Sequence, residues 1–139
     1  MRKAFVFASV LVLWCACIPL SLGQTNVTIV AQRSFTGLTI SLPPTTIFTP
    51  GKTGVFRVSG YVEASNVDGG VYGAALYLSW SGDFGSYQLQ VGDTTAESGD
   101  AGAFPFDKTL HAKVGEPIQI STVSSVPGTY NVYVRVEKL

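Results

Sequence analysis

Apolar side chains recur at every second position through segment after segment of this sequence. A chain patterned with period two can hide its hydrophobic residues only on one face of pleated strands. The clearest stretch sets Phe56, Val58, Gly60 and Val62 against Val55, Arg57, Ser59 and Tyr61. The carboxyl-terminal stretch repeats it, with Tyr130, Val132, Val134 and Val136 against Asn131, Tyr133, Arg135 and Glu137. Between them, Ala74, Leu76, Leu78 and Trp80 alternate with Ala75, Tyr77 and Ser79, and Tyr87, Leu89 and Val91 alternate with Gln88 and Gln90. Shorter runs follow at Leu110, Ala112 and Val114 and at Ile118 and Ile120, while residues 27–33 and 38–42 read as strands ahead of Pro43-Pro44. Helical spacing is nowhere sustained.

The separators are turn chemistry: Asp68-Gly69-Gly70, Ser81-Gly82-Asp83, Gly92-Asp93, Gly115-Glu116-Pro117 and Pro127-Gly128. Turns this regular imply antiparallel neighbours. About eight strands at this spacing are the pattern of a sandwich or barrel.

The first residues read as an address. Met1-Arg2-Lys3 is a short cationic start and residues 4–14 carry no charge, the pattern of a secretory signal. Small residues Ser21 and Gly23 place the cut before Gln24, so residues 1–23 are the expected leader and 24–139 a single β-sandwich domain. The apolar run is shorter than the roughly 20 residues of a membrane-spanning helix. Both cysteines, Cys15 and Cys17, fall inside it, which leaves the expected product without thiol chemistry. Acylation at Cys17, as in a bacterial lipoprotein, is the alternative, although Trp14-Cys15 fits that signal poorly.

Without Arg2 and Lys3, seven of the nine basic side chains remain against nine acidic ones. Only 13% of the chain is charged, so it has no clustered cations for nucleic acid or for an anionic membrane. At 46% hydrophobic it is no candidate for disorder.

Three segments carry a family resemblance: Phe48-Thr49-Pro50 through Gly54-Val55-Phe56-Arg57-Val58-Ser59, then residues 110–120 with Val114-Gly115-Glu116, then Gly128-Thr129-Tyr130 to the end. Together they resemble the jelly roll of tumour necrosis factor and the complement globular heads. The resemblance implies an antiparallel two-sheet jelly-roll sandwich, a compact homotrimer, and partners bound by loops or by grooves between subunits. No collagen-like stalk accompanies it in these residues, so a receptor-activating role is not expected.

The residues themselves put Val55, Tyr61, Tyr77 and Tyr133 on outward strand faces, where apolar side chains want a cover such as a neighbouring subunit. These four are the interface candidates. Tyr72, Trp80, Phe84 and Tyr87 flank the Ser81-Gly82-Asp83 turn and are candidates to contact a glycan; alternatively Trp80 extends the core and Phe84 caps it. The acidic stretch 92–100 reads as a loop with Asp93, Glu97 and Asp100 as weak calcium candidates, its spacing matching no defined calcium motif.

Catalytic signals are sparse. Gly51-Lys52-Thr53 has Thr46 where a phosphate loop needs glycine, and a strand pattern follows it. His111, the single histidine, alternates outward beside Thr109 and Lys113. There is no Gly-x-Ser-x-Gly elbow. The expected protein is a secreted, non-enzymatic module without cofactor or metal that self-associates and binds a macromolecule or glycan. A structural surface or matrix protein without a discrete ligand is the alternative, and a small carboxylate-based hydrolase the third. Asn26-Val27-Thr28 is an acceptor sequon for a host that glycosylates secreted chains.

Overall fold

The computed structural model describes residues 27–65, 72–96, 102–125 and 128–139, with the backbone alone for Ser65, Tyr72, Thr95 and Ala96. Among these residues the alternation becomes eight strands and no helix: β1 (Thr28–Leu38), β2 (Thr45–Phe48), β3 (Gly54–Ser65), β4 (Tyr72–Gly82), β5 (Gly85–Ala96), β6 (Ala103–Ala112), β7 (Ile118–Ser124) and β8 (Thr129–Lys138).

The strands form two sheets, ordered β1-β8-β3-β6 and β2-β7-β4-β5. Every pairing is antiparallel, and the pairs nest: β4 with β5, β3 with β6, β2 with β7, β1 with β8. That nesting is one long hairpin rolled up on itself, with β3–β8 and β4–β7 closing the two sheets. It is the jelly roll. The core is the inward phase of the alternation: Phe56, Val58 and Val62 of β3, Leu76 and Leu78 of β4, Ile118 and Ile120 of β7, and Tyr130, Val132 and Val136 of β8 are each at most 2% exposed. Burying each such side chain is worth about 1.5–3 kcal/mol.

Gly60 interrupts this phase for a reason of space. A Cβ there would lie 1.9 Å from the Tyr133 carbonyl oxygen and 3.1 Å from the Phe106 ring, so β3 and β8 can close up only around glycine.

Several boundaries differ from the sequence expectation. Of the expected strand at 38–42 only Leu38 lies in one, as the last residue of β1, and residues 39–42 are held by bonds to Thr122 and Tyr130 rather than by a continuous ladder. Leu42 N–H donates to Thr122 Oγ1 at 2.8 Å, Thr122 N–H donates to the Leu42 carbonyl at 2.9 Å, and Tyr130 Oη donates to the Ile40 carbonyl at 2.8 Å. The short β2 begins only after the prolines. Gly92-Asp93 is no turn, because β5 runs through it, and a Cβ built at Gly92 would make ordinary contacts of 3.4–3.6 Å with Val62, Leu76 and the Phe104 ring. The first hairpin turns at Asp83-Phe84, one residue later than expected, between paired Gly82 and Gly85. Val114 leaves the core phase for the turn closed by Gly115, whose φ of 76° favours glycine. Asp68-Gly69-Gly70 and Pro127 lie outside the described residues, as do residues 1–26 with the leader, Cys17 and the sequon asparagine.

Candidate functional site

The strand phase that fills the core with Val58, Val62, Val132 and Val134 turns Val55, Arg57, Ser59 and Tyr61 of β3, and Tyr133, Arg135 and Glu137 of β8, onto the outer face of the β1-β8-β3-β6 sheet. Register places Tyr61 directly opposite Tyr133, and the rings stack with centroids 4.5 Å apart and planes at 27°. Tyr61 remains 40% exposed and Val55 41%. Burial against its neighbours pushes the Tyr61 phenol above the ordinary 10.0, with the Tyr133 hydroxyl and the Glu63 carboxylate adding to the effect.

Two pairs along the same face, beyond Ser59 and Arg135, Arg57 stands opposite Glu137 and its Nε lies 2.6 Å from Glu137 Oε2, while its Nη2 also contacts that oxygen. Arg135 Nε sits 3.1 Å from the other carboxylate oxygen. Glu137 is 4% exposed although its strand phase points outward, because the two guanidinium groups cover it. A buried carboxylate held by two cations rigidifies the face. Beside it, Gln32, Ser34, Ser59, Tyr61, Tyr133 and Arg135 line an open cleft of about 460 Å³.

Three of the four expected interface residues, Val55, Tyr61 and Tyr133, thus share one face. Tyr77 does not: it lies on β4 in the opposite sheet, partly buried, paired with Gln90.

The second surface is the seam where the edge strands β5 and β6 flank the open side of the sandwich. Trp80 pairs with Tyr87, and their rings stack at 5.2 Å and 19°. Trp80 packs against the core as expected of an inward residue, whereas Tyr87 and Leu89, equally inward in phase, are each 40% exposed because β5 lies at the sheet edge. Phe84 caps nothing: at the tip of the β4–β5 turn it is 95% exposed. Tyr72, the fourth glycan candidate, opens β4 at the opposite end of the strand from Trp80, about 26 Å away at strand rise.

Facing these rings are Lys108, Thr109, Leu110 and His111 of β6, and the two walls enclose an open groove of about 420 Å³. His111 is exposed as expected, but it has a partner: Nδ1 lies 3.0 Å from Asp83 Oδ2 across the seam. The backbones meet at the same end, with Lys113 N–H donating to the Ser81 carbonyl at 2.9 Å. Lys108 is the residue that sequence reasoning passed over. It holds the inward phase between buried Phe106 and Leu110, and a charge in an apolar phase was the available signal.

For calcium, Asp93 lies exposed within β5 rather than in a loop, opposite Ala75; Glu97 and Asp100 lie outside the described residues. Among the described residues no three His, Cys, Asp or Glu side chains cluster to hold a metal. Thr53, the end of the would-be phosphate loop, accepts a hydrogen bond from Val114 N–H at 3.0 Å and so anchors the late turn.

No family model and no curated protein matches this chain. Among solved structures it is similar to a subviral particle of infectious bursal disease virus (TM-score 0.49, 16% identity), with 81% of this chain and 31% of that one covered. It is also similar to the Eiger tumour necrosis factor of S. frugiperda (0.43, 10% identity; 81% and 93% covered) and to the disulfide-linked pili of Bacillus endospore appendages (0.37, 12%; 81% and 88%). The chain spans about a third of the length of the viral proteins it matches. The nested strand order, rather than these distant likenesses, establishes the jelly roll.

Proposed function

We propose that this is a secreted, non-enzymatic binding module of tumour-necrosis-factor-like form that associates into a homotrimer through the outer face of the β1-β8-β3-β6 sheet and engages a macromolecular or glycan partner. The supporting observation is the stacked Tyr61–Tyr133 pair, two large half-open rings fixed on a sheet face beside the Arg57–Glu137–Arg135 cluster, whose second positive charge is answered by Asp107 3.9 Å from Arg57 Nε. Such a patch combines rigid aromatic area with charges already satisfied, which suits burial against a second copy.

The test is light scattering on the secreted product and on a Tyr61→Asp, Tyr133→Asp double variant. The parent should show the mass of three chains at all concentrations, and the variant the mass of one. An unchanged mass in the variant removes these tyrosines from the interface. A mass that climbs with concentration would instead favour the structural-assembly reading, in which Tyr77 and the 60% exposed Val123 on the other half of the sandwich supply a second contact. Intact mass of the same product, beginning at Gln24 or at an acylated Cys17, decides how it leaves the cell.

A further inference from the structure

We propose that the seam between β5 and β6 binds an acidic sugar chain, its rings lying on Tyr87 and Phe84 and its carboxylate meeting Lys108. This deepens the reading of the chain as a binding module but does not depend on its trimeric state, since the seam lies between the sheet edges and not on the tyrosine face.

Phe84 is the first reason. The second position of a two-residue hairpin turn favours Gly, Asn or Asp, and an almost wholly exposed phenylalanine there does nothing for packing. Tyr87 offers a ring whose other side is braced by Trp80, so the platform does not have to be ordered when a ligand arrives. Lys108 is the second reason. Its inward phase aims an ammonium into the groove, and among the described residues it makes no ion pair. An inward lysine also deters edge pairing, but that role needs no aromatic rings opposite it. His111 completes the wall: with Nδ1 held by Asp83, its Nε2 is the nitrogen left for a ligand hydroxyl.

The groove's shape separates sugar from peptide. Peptide anchors are side chains sunk in closed, desolvated pockets, whereas this groove is wide and shallow, with ring faces and polar groups side by side. A pyranose presents an apolar C–H face to the rings and hydroxyls to the histidine, and a uronate adds the charge that Lys108 lacks.

The probe is an oligogalacturonate, compared with its neutral methyl ester and with polyglutamate, and the readout is the fluorescence of Trp80, the tryptophan outside the leader. The acid should bind saturably and the ester roughly tenfold more weakly or worse, with Lys108→Gln lowering affinity for the acid to that for the ester. Phe84→Ala, at a tip that packs on nothing, should weaken both sugars without altering the circular dichroism. Absence of saturable binding, equal affinity for acid and ester, or polyglutamate binding as tightly as the uronate would each overturn the proposal. Oligomeric mass should be the same in all these variants, and the Tyr61→Asp, Tyr133→Asp double variant should bind the uronate as the parent does; failure of the trimer is thereby separated from failure of the sugar site.

Discussion

Tyr130→Phe removes one oxygen atom, and the structure fixes what that should cost. Tyr130 is fully buried, and its hydroxyl donates to the Ile40 carbonyl, so the Thr122 hydroxyl must be the donor in the Thr122–Tyr130 contact. Thr122 in turn accepts from Leu42 N–H. The chain of donors therefore runs Leu42 to Thr122 to Tyr130 to Ile40, and it stands where residues 39–42 belong to no strand. In the phenylalanine variant the Ile40 carbonyl, on a residue with a 74% exposed side chain, can turn to water. Thr122, 3% exposed, cannot, and its O–H is left unsatisfied in the core. A buried orphan of this kind costs about 1–3 kcal/mol, so a loss near 2 kcal/mol is expected. With an unfolding entropy of about 2.1 cal/mol/K per residue, a domain of roughly 110 residues should melt about 8–9 °C lower. Calorimetry on Tyr130→Phe, Thr122→Val and the double variant checks this, with a coupling of roughly 1 kcal/mol expected between neighbours that share a bond. A phenylalanine variant within about 0.5 kcal/mol of the parent, or strictly additive singles, would show that this chain of hydrogen bonds does not hold the 38–42 segment.

Three further outcomes follow from single features. Gly60→Ala should cost more than about 3 kcal/mol or abolish folding, because the added methyl meets backbone rather than a movable side chain; chemical denaturation measures it, and a loss below about 1 kcal/mol would contradict the close approach of β3 and β8. The raised Tyr61 pKa means that the folded state prefers the neutral phenol, so its contribution is intact below pH 10.0 and is lost as pH rises through the folded value. Phenolate absorbance, compared between the parent and Tyr61→Phe, should show this tyrosine ionising later than a free phenol, and self-association should weaken over the same range. Chelator should leave the melting temperature unchanged, and a fall of several degrees would mean that a cation is held by the Asp93 end of β5 or by residues beyond it.

What the sequence disclosed and what it hid divide along the distance over which each feature is decided. The alternation in β3, β4 and β8 is local, because each residue's inward or outward sense follows from its neighbours, and Val55, Tyr61 and Tyr133 were legible as outward residues for that reason. Strand ends were less legible. Gly92-Asp93 has turn chemistry, but the partner strand decides the outcome: Gly92 pairs with Leu76 and Asp93 with Ala75 of β4, which carries β5 straight through. The 38–42 segment has strand composition, yet Thr122 and Tyr130, some eighty or ninety residues away, occupy its hydrogen-bonding groups.

The two surfaces differ in the same way, and the difference bears on which is easier to alter. Pairing of Tyr61 with Tyr133 depends on the register of two adjacent strands, which Gly60 pins from beneath, so the stack is part of the sheet. The seam depends on how two separate sheets meet at their edges. Asp83 comes from the β4–β5 turn and His111 from β6, and no period in the sequence links them. Yet Lys108 broke the apolar phase of its own strand and Phe84 broke the polar habit of its turn, each a local misfit without a local cause. Both misfits open onto the same groove. Residues that a strand or turn does not need for its own stability can be exchanged at little cost to the fold, so the seam should tolerate substitution at Phe84 and Lys108 where the sheet beneath the tyrosine face, closed around Gly60, should not.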